Sequence, residues 1–217
     1  MTIIALDIQP QYRFSCMAAN ERRFVNQPER IVDELNRQAQ FANKRLLVEN
    51  LSISEASFCS RCIDAPLNRS GFVFNRADSS CCKLHLLSGL PCPADYDYSV
   101  ELNGGHHHGA CFLDGEETRS SGLIEWLRNQ RADTVIIGGL AMEETVAKTA
   151  KQLRWYGNHM NIIVNLGACC GYTPETTIKT IYNLREMGVA VVNHAAELVN
   201  YMPHFSVGGG MQYQYAM

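Results

Sequence analysis

The sequence predicts a three-layer α/β/α domain, built on a Rossmann-like and mostly parallel sheet of about six strands. Two observations carry the prediction. Short apolar runs alternate along the chain with longer stretches whose apolar residues recur at helical spacing. The apolar runs are also continuous rather than alternating, as strands covered on both faces require. Strand–helix alternation of this kind implies right-handed crossovers between parallel neighbours.

The elements follow in order. Ile3-Ile4-Ala5-Leu6 is an uninterrupted apolar run and reads as the first strand. From Pro28 to Lys44, the residues Ile31, Leu35, Ala39 and Ala42 recur at helical spacing, with Pro28 and Glu29 suited to a first turn. Arg45-Leu46-Leu47-Val48 is the second strand. The stretch from about 50 to 109 is irregular, rich in Ser, Cys, Gly and Pro, and is expected to hold at most short elements. Leu123, Trp126 and Leu127 mark the next helix, and Thr134-Val135-Ile136-Ile137 a strand ending at Gly138-Gly139. A helix (Val146, Ala150, Leu153), a strand (Ile162-Ile163-Val164), a helix (Ile178, Ile181, Leu184) and a strand (Val189-Ala190-Val191-Val192) complete the series. The whole chain, 1–217, reads as one domain without internal repeat. Its tail, at about 203–217, is expected to be a surface extension or a subunit contact, which makes a homo-oligomer the expected state.

Composition narrows the function classes. A chain of 217 residues, 46% hydrophobic and 19% charged, can bury a sizeable core and is not of disordered composition. A formal net charge of −3 offers no electrostatic reason to bind nucleic acid or an anionic membrane. Met1 runs straight into a strand without a signal-like segment, and no apolar run approaches the roughly 20 residues of a membrane span. Nine cysteines then read as reduced thiols or metal ligands, and the cytoplasm is the expected compartment. In an open parallel sheet the site lies beyond the carboxyl ends of the strands. Asp7, Glu49 and the segment after Gly139 are therefore expected together at one rim.

An ordered set of local patterns, covering roughly residues 1–195, resembles the nicotinamidase/pyrazinamidase branch of the isochorismatase-like hydrolases. It comprises Leu6-Asp7-Ile8-Gln9 at the first strand, Ser57-Phe58, the His85 to Pro91 segment, Phe112-Leu113-Asp114, Thr118 to Arg128, Gly139-Leu140-Ala141 and Gly167-Ala168-Cys169-Cys170-Gly171. What the resemblance implies is carboxamide hydrolysis by an Asp, a Lys and a Cys. The Asp takes the thiol proton, the Lys stabilises charge and the thiolate attacks the carbonyl. It also implies an oxyanion hole of backbone N–H groups at the turn of Ala141 and Met142, often with a cis peptide.

Most of that chemistry is replaced. Asp7 matches the Asp. Thr145 stands where the family has its Cys, and a hydroxyl is a far weaker nucleophile without a strong adjacent base. No lysine lies between Leu84 and Ala147, so the expected position near Ser99 to Glu101 is empty of one. His106, His107 and His108 read as a solvated loop run. The family's metal positions read Glu49, Leu51, Glu55 and His85, and leucine cannot ligate. Glu49, Glu55 and His85 would suit Mn or Fe. Cys59 and Cys62, followed by Cys82 and His85, have instead the spacing of a structural zinc site. The alternative is that these thiols are small buried hydrophobes.

Three readings result. The first is a degenerate homologue that has lost amidase activity and keeps a small-molecule pocket or an assembly role. The second is a hydrolase of altered chemistry, with Asp7 as general acid in isochorismatase-like cleavage of a vinyl ether. The third is an active nicotinamidase with an unconventional nucleophile such as Thr145.

Overall fold

The structure, a computed structural model, describes residues 1–12, 25, 27–50, 85–102, 109–157 and 159–202. Six parallel strands form one sheet in the order β3-β2-β1-β4-β5-β6. In chain order the elements are β1 (Thr2–Ile8), a 3₁₀ turn (Pro28–Ile31), α1 (Val32–Ala39), β2 (Lys44–Asn50) and β3 (Tyr98–Leu102). They continue with α2 (Leu123–Asn129), β4 (Ala132–Leu140), a π-turn (Met142–Val146), α3 (Ala147–Tyr156) and β5 (Asn161–Cys170). The last are α4 (Pro174–Glu186), β6 (Ala190–Val192) and a 3₁₀ segment (Ala195–Tyr201).

Alternation along each strand divides the core in two. Ile4, Leu6 and Ile8 of β1, with Leu46, Val48, Val135 and Ile137, face α2 and α3 through Leu123, Leu127, Val146 and Leu153. Ile3, Ile136 and Ile163 face the other way, against Ala195, Leu198 and Met202. Higher on that second face Leu35 of α1 packs over Leu140 and Ala168. A sheet covered on both sides is why these strands carry no polar–apolar alternation.

Two expectations need correction, and a third, short elements between 50 and 109, becomes specific. The helix expected from Pro28 to Lys44 is shorter, because a 3₁₀ turn precedes α1 and Lys44 already begins β2. The sequence Tyr98-Ser-Val-Glu-Leu, read as part of an irregular stretch, is the edge strand β3. Only Val100 and Leu102 are buried there, at 3% and 6% exposure, so half of its residues look like loop. In α4, Leu184 is buried but Ile178 is 54% exposed, so the expected apolar face only partly meets the sheet.

One glycine is dictated by the register. Gly139 lies opposite Ile8 with φ +132, and an added Cβ would collide with the Ile8 carbonyl oxygen. Only glycine lets β1 and β4 approach here. Among the described residues no helix is long and apolar enough to cross a membrane.

Candidate active site

β1 delivers Asp7 one residue before its end, opposite Leu47 of β2 and Gly138 of β4. Strand parity then decides the direction of its side chain. Asp7 shares the face of Ile3 and Ala5, beneath α1, and its side chain is fully buried. Asp7 thus lies near the carboxyl end of its strand, with its side chain turned inward.

Four groups hold that carboxylate. Arg45 Nε donates to Oδ2 at 2.8 Å, and Arg45 Nη2 sits 2.7 Å from the same oxygen without an aligned hydrogen bond. The Tyr96 hydroxyl donates to Oδ2 at 3.0 Å, and Gln38 Nε2 of α1 reaches Oδ1 at 3.4 Å. Burial pushes the Asp7 pKa up, and the Arg45 charge and the three hydrogen bonds oppose that rise. Burial together with the neighbouring Asp7 charge drives the Tyr96 phenol far above its usual range, so it stays a donor. Arg45 also lies over the Tyr96 ring, 5.2 Å from its centroid.

Arg45 was missed by motif reasoning, which looked for a lysine near Ser99 to Glu101. The signal was available in the pattern. Arg45 pairs with Ala5 in the parallel register, so it shares the Asp7 face two residues lower and its long side chain runs up the sheet.

Below the carboxylate a buried polar chain crosses the same face. Asn165 Nδ2 donates to Gln38 Oε1 at 3.3 Å and to Glu34 Oε2 at 3.5 Å, and Glu34 Oε2 accepts from the Ala195 N–H at 2.8 Å. For Glu34, burial acts to raise the pKa, but the bonds from Ala195, Arg37 and Asn165 prevail and lower it.

Thr145 lies in the π-turn after β4, 2% exposed. Its hydroxyl donates to Gln9 Oε1 at 3.5 Å, and its carbonyl accepts from the Thr149 hydroxyl at 2.6 Å. Each of Asp7 and Thr145 is thus committed to other partners, and no hydrogen bond joins them. Neither lines either of the two cavities described below. The rim between β1 and β2 is filled by a second glutamine, for Gln11 accepts from the Asn50 N–H at 2.9 Å and is itself fully buried.

Among the described residues two buried cysteines, Cys111 and Cys169, lie elsewhere than beside Asp7. Cys111 is buried behind Phe112, and its backbone N–H donates to Gln152. Cys169 faces Gly139 in the register, and burial pushes its pKa up to about 12. Neither is among the groups that act on Asp7. At the oxyanion turn, Ala141 and Met142 are fully buried and the Leu140–Ala141 peptide is cis, as the resemblance implies for this turn.

Of the expected metal positions, the described residues include Glu49 and His85. Glu49 is half-buried and stands opposite Glu101 in the β2–β3 register, and burial followed by that like charge raises its pKa. His85 is exposed, and its carbonyl accepts from the Tyr12 N–H. Among the described residues no group of three His, Cys, Asp or Glu side chains could hold an ion. Glu55, Cys59, Cys62, Cys82 and the His106 to His108 run lie outside the described residues.

Comparison with known proteins gives the context. No family model matches the chain. A nicotinamidase/pyrazinamidase of Mycobacterium tuberculosis is 28% identical over 116 residues, 50% of this chain and 61% of that protein. The chain therefore spans less than two thirds of the length of that relative. A nicotinamidase/pyrazinamidase of Acinetobacter baumanii superposes with a TM-score of 0.66 at 17% identity, covering 91% of this chain and 98% of its own. An isochorismatase-like hydrolase of Alkaliphilus metalliredigens gives 0.62 at 13% identity, covering 93% and 99%. The chain has the isochorismatase-like hydrolase fold. A pyrazinamidase of Pyrococcus horikoshii with the same fold, solved in complex with zinc, superposes at 0.60 with 15% identity over 88% of this chain and 99% of its own.

Proposed function

We propose that the chain is a nicotinamidase/isochorismatase-like homologue that has lost amide hydrolysis and keeps a small-molecule pocket or an assembly role. One observation carries this. The Asp7 carboxylate is bound by Arg45, Tyr96 and Gln38, while the hydroxyl at the nucleophile position is bound to Gln9. Amide hydrolysis of the kind the resemblance implies needs a base within hydrogen-bond reach of the attacking atom. Here the two are held apart by separate partners. The test is an assay of the purified protein with nicotinamide. No turnover is expected, and turnover that Thr145→Ala abolishes would overturn the reading.

A second reading has Asp7 as a general acid in vinyl ether cleavage. Its support is the direction of the Asp7 pKa, raised by burial as a proton donor requires. Against it stand the complete burial of the carboxylate and its pairing with Arg45. Turnover of isochorismate that Asp7→Asn removes would establish it.

Among the described residues no set of metal ligands is brought together. A structural zinc at Cys59, Cys62, Cys82 and His85 is tested by elemental analysis: one zinc per chain, lost in Cys62→Ser, supports it. The location we infer is the cytoplasm. The assembled state we infer is a homo-oligomer, which sedimentation tests.

A further inference from the structure

Two cavities stand out, and they differ in where they lie. One of about 680 Å³ runs over the outer faces of α3 and α4, away from the strand ends. The other, of about 510 Å³, sits at the carboxyl ends of β4 and β5 and falls within the range of small-ligand pockets. It is separate from both Asp7 and Thr145.

The lining of the second cavity has a definite chemistry. Its floor is aliphatic and sulfur-bearing, from Met142, Leu166, Ile181 and Cys170. Among its lining residues Arg30 is the one cation, and no carboxylate is present. Glu143, which follows the lining residue Met142 in the chain, is held by hydrogen bonds from neighbouring residues. Both of its oxygens accept from the Tyr172 N–H at 3.1 Å, and Oε1 also accepts from the hydroxyls of Thr176 at 2.9 Å and Thr177 at 2.7 Å. Glu144 is likewise engaged, accepting from the Tyr172 hydroxyl at 2.9 Å. The start of α4 is capped by Thr173, whose Oγ1 accepts from the Thr176 N–H at 3.2 Å, while Glu143 is bonded to the lining residues Tyr172 and Thr177; the cation among the lining residues is Arg30. Burial raises the Cys170 pKa, the charge and hydrogen bond of the exposed Arg30 act to lower it, and the Glu143 charge adds to the rise.

We propose that this cavity binds a compact aliphatic carboxylate, its tail on Met142, Leu166 and Ile181 and its anionic end on Arg30. A guanidinium pairs two parallel N–H groups with a carboxylate, and the flexible methionine adapts to an unbranched or branched tail. This rests on the reading of a retained small-molecule pocket and gives that pocket a place and a ligand class.

Cys170 supplies the assay, because it lines the cavity while Cys92 is an exposed thiol elsewhere. The probes are iodoacetate and iodoacetamide, which differ in charge but react alike. The cysteine sulfur bonds to the methylene carbon, iodide leaves, and the thiol proton passes to solvent. Peptide mass spectrometry reads the rate at each cysteine. The iodoacetate-to-iodoacetamide rate ratio is expected to be at least fivefold higher at Cys170 than at Cys92, and to fall to the Cys92 value in Arg30→Gln. Hexanoate at about 10 mM, saturating for a dissociation constant near 1 mM, should slow Cys170 labelling, whereas neutral hexanamide should not. An Ile181→Trp variant, which fills the floor, should lose the hexanoate effect while melting as a folded protein. Equal ratios at the two cysteines, or equal protection by hexanoate and hexanamide, would overturn the proposal. Nicotinamide turnover would instead remove the loss of amidase function and leave the labelling ratio untouched, so the two failures are distinguishable.

Discussion

Replacing Arg45 by methionine should leave the Asp7 carboxylate buried without its charge partner. Asp7 is fully buried and Arg45 retains 14% of its side-chain exposure, so solvent can do little to compensate. Two unit charges about 4 Å apart interact by about 4 kcal/mol at an effective dielectric of 20, and breaking one side of a buried pair costs about 3–5 kcal/mol. Tyr96 and Gln38 still donate to the carboxylate, which places the expected loss near the lower end, at about 3 kcal/mol. For a chain of this length that is roughly 6–12 °C in melting temperature.

The pH dependence has a definite sign. The folded-state pKa of Asp7 is already raised above its ordinary 3.8 by burial. Its contribution is fully present below 3.8 and is lost as pH rises through the folded value. Removing Arg45 raises that value further, so the penalty of Arg45→Met should be small near pH 4 and grow toward neutrality. The double variant Arg45→Met with Asp7→Asn removes both charges and should recover most of the loss. Urea unfolding at acid and neutral pH measures all three. A penalty of Arg45→Met that does not change with pH, or a double variant no more stable than the single, would refute the reasoning.

Four further outcomes are expected. Gly139→Ala brings a Cβ against the Ile8 carbonyl at a φ that favours glycine, and should cost more than about 3 kcal/mol, read as loss of soluble protein or of melting temperature. Glu34 behaves oppositely to Asp7: its pKa is lowered from 4.5, so its contribution is present above 4.5 and lost as pH falls through the folded value. Glu34→Gln should therefore flatten the acid limb of a stability–pH curve measured by urea unfolding. Thr145→Cys should give no nicotinamide turnover, because among the described residues no base bonds that position; measurable turnover would show that Asp7 is free to move. Thr145→Ala should cost no more than about 1 kcal/mol in urea unfolding, since its hydroxyl bond to Gln9 is long at 3.5 Å.

How much of this was legible in the sequence depended on the kind of signal. The continuous apolar runs of β1, β4 and β5 announce buried parallel strands, because both faces of the sheet are covered, with Asp7, Thr134 and Asn165 as the buried polar exceptions. β3 has only two buried side chains, so an edge strand with Tyr98, Ser99 and Glu101 toward other surroundings carries no run to read. At the site, the motif around Asp7 placed the residue on the correct strand. Its partners were not legible as a motif, because Arg45, Gln38 and Tyr96 come from three elements that only the sheet register and the α1 packing bring together. The same holds for Gln9, whose left-handed backbone, φ 43, redirects its side chain beyond the strand end.

The sheet's two margins differ from its centre in length as well as burial. β6 offers three residues and β3 five, against seven to ten for the strands between them. An incoming extended chain would find only a few unpaired peptide groups at either border, too few to template continued growth. Association of copies by strand addition is thereby discouraged. Contact through helical surfaces remains open to them, and there Trp155, Ile178 and Tyr182 already stand in solvent.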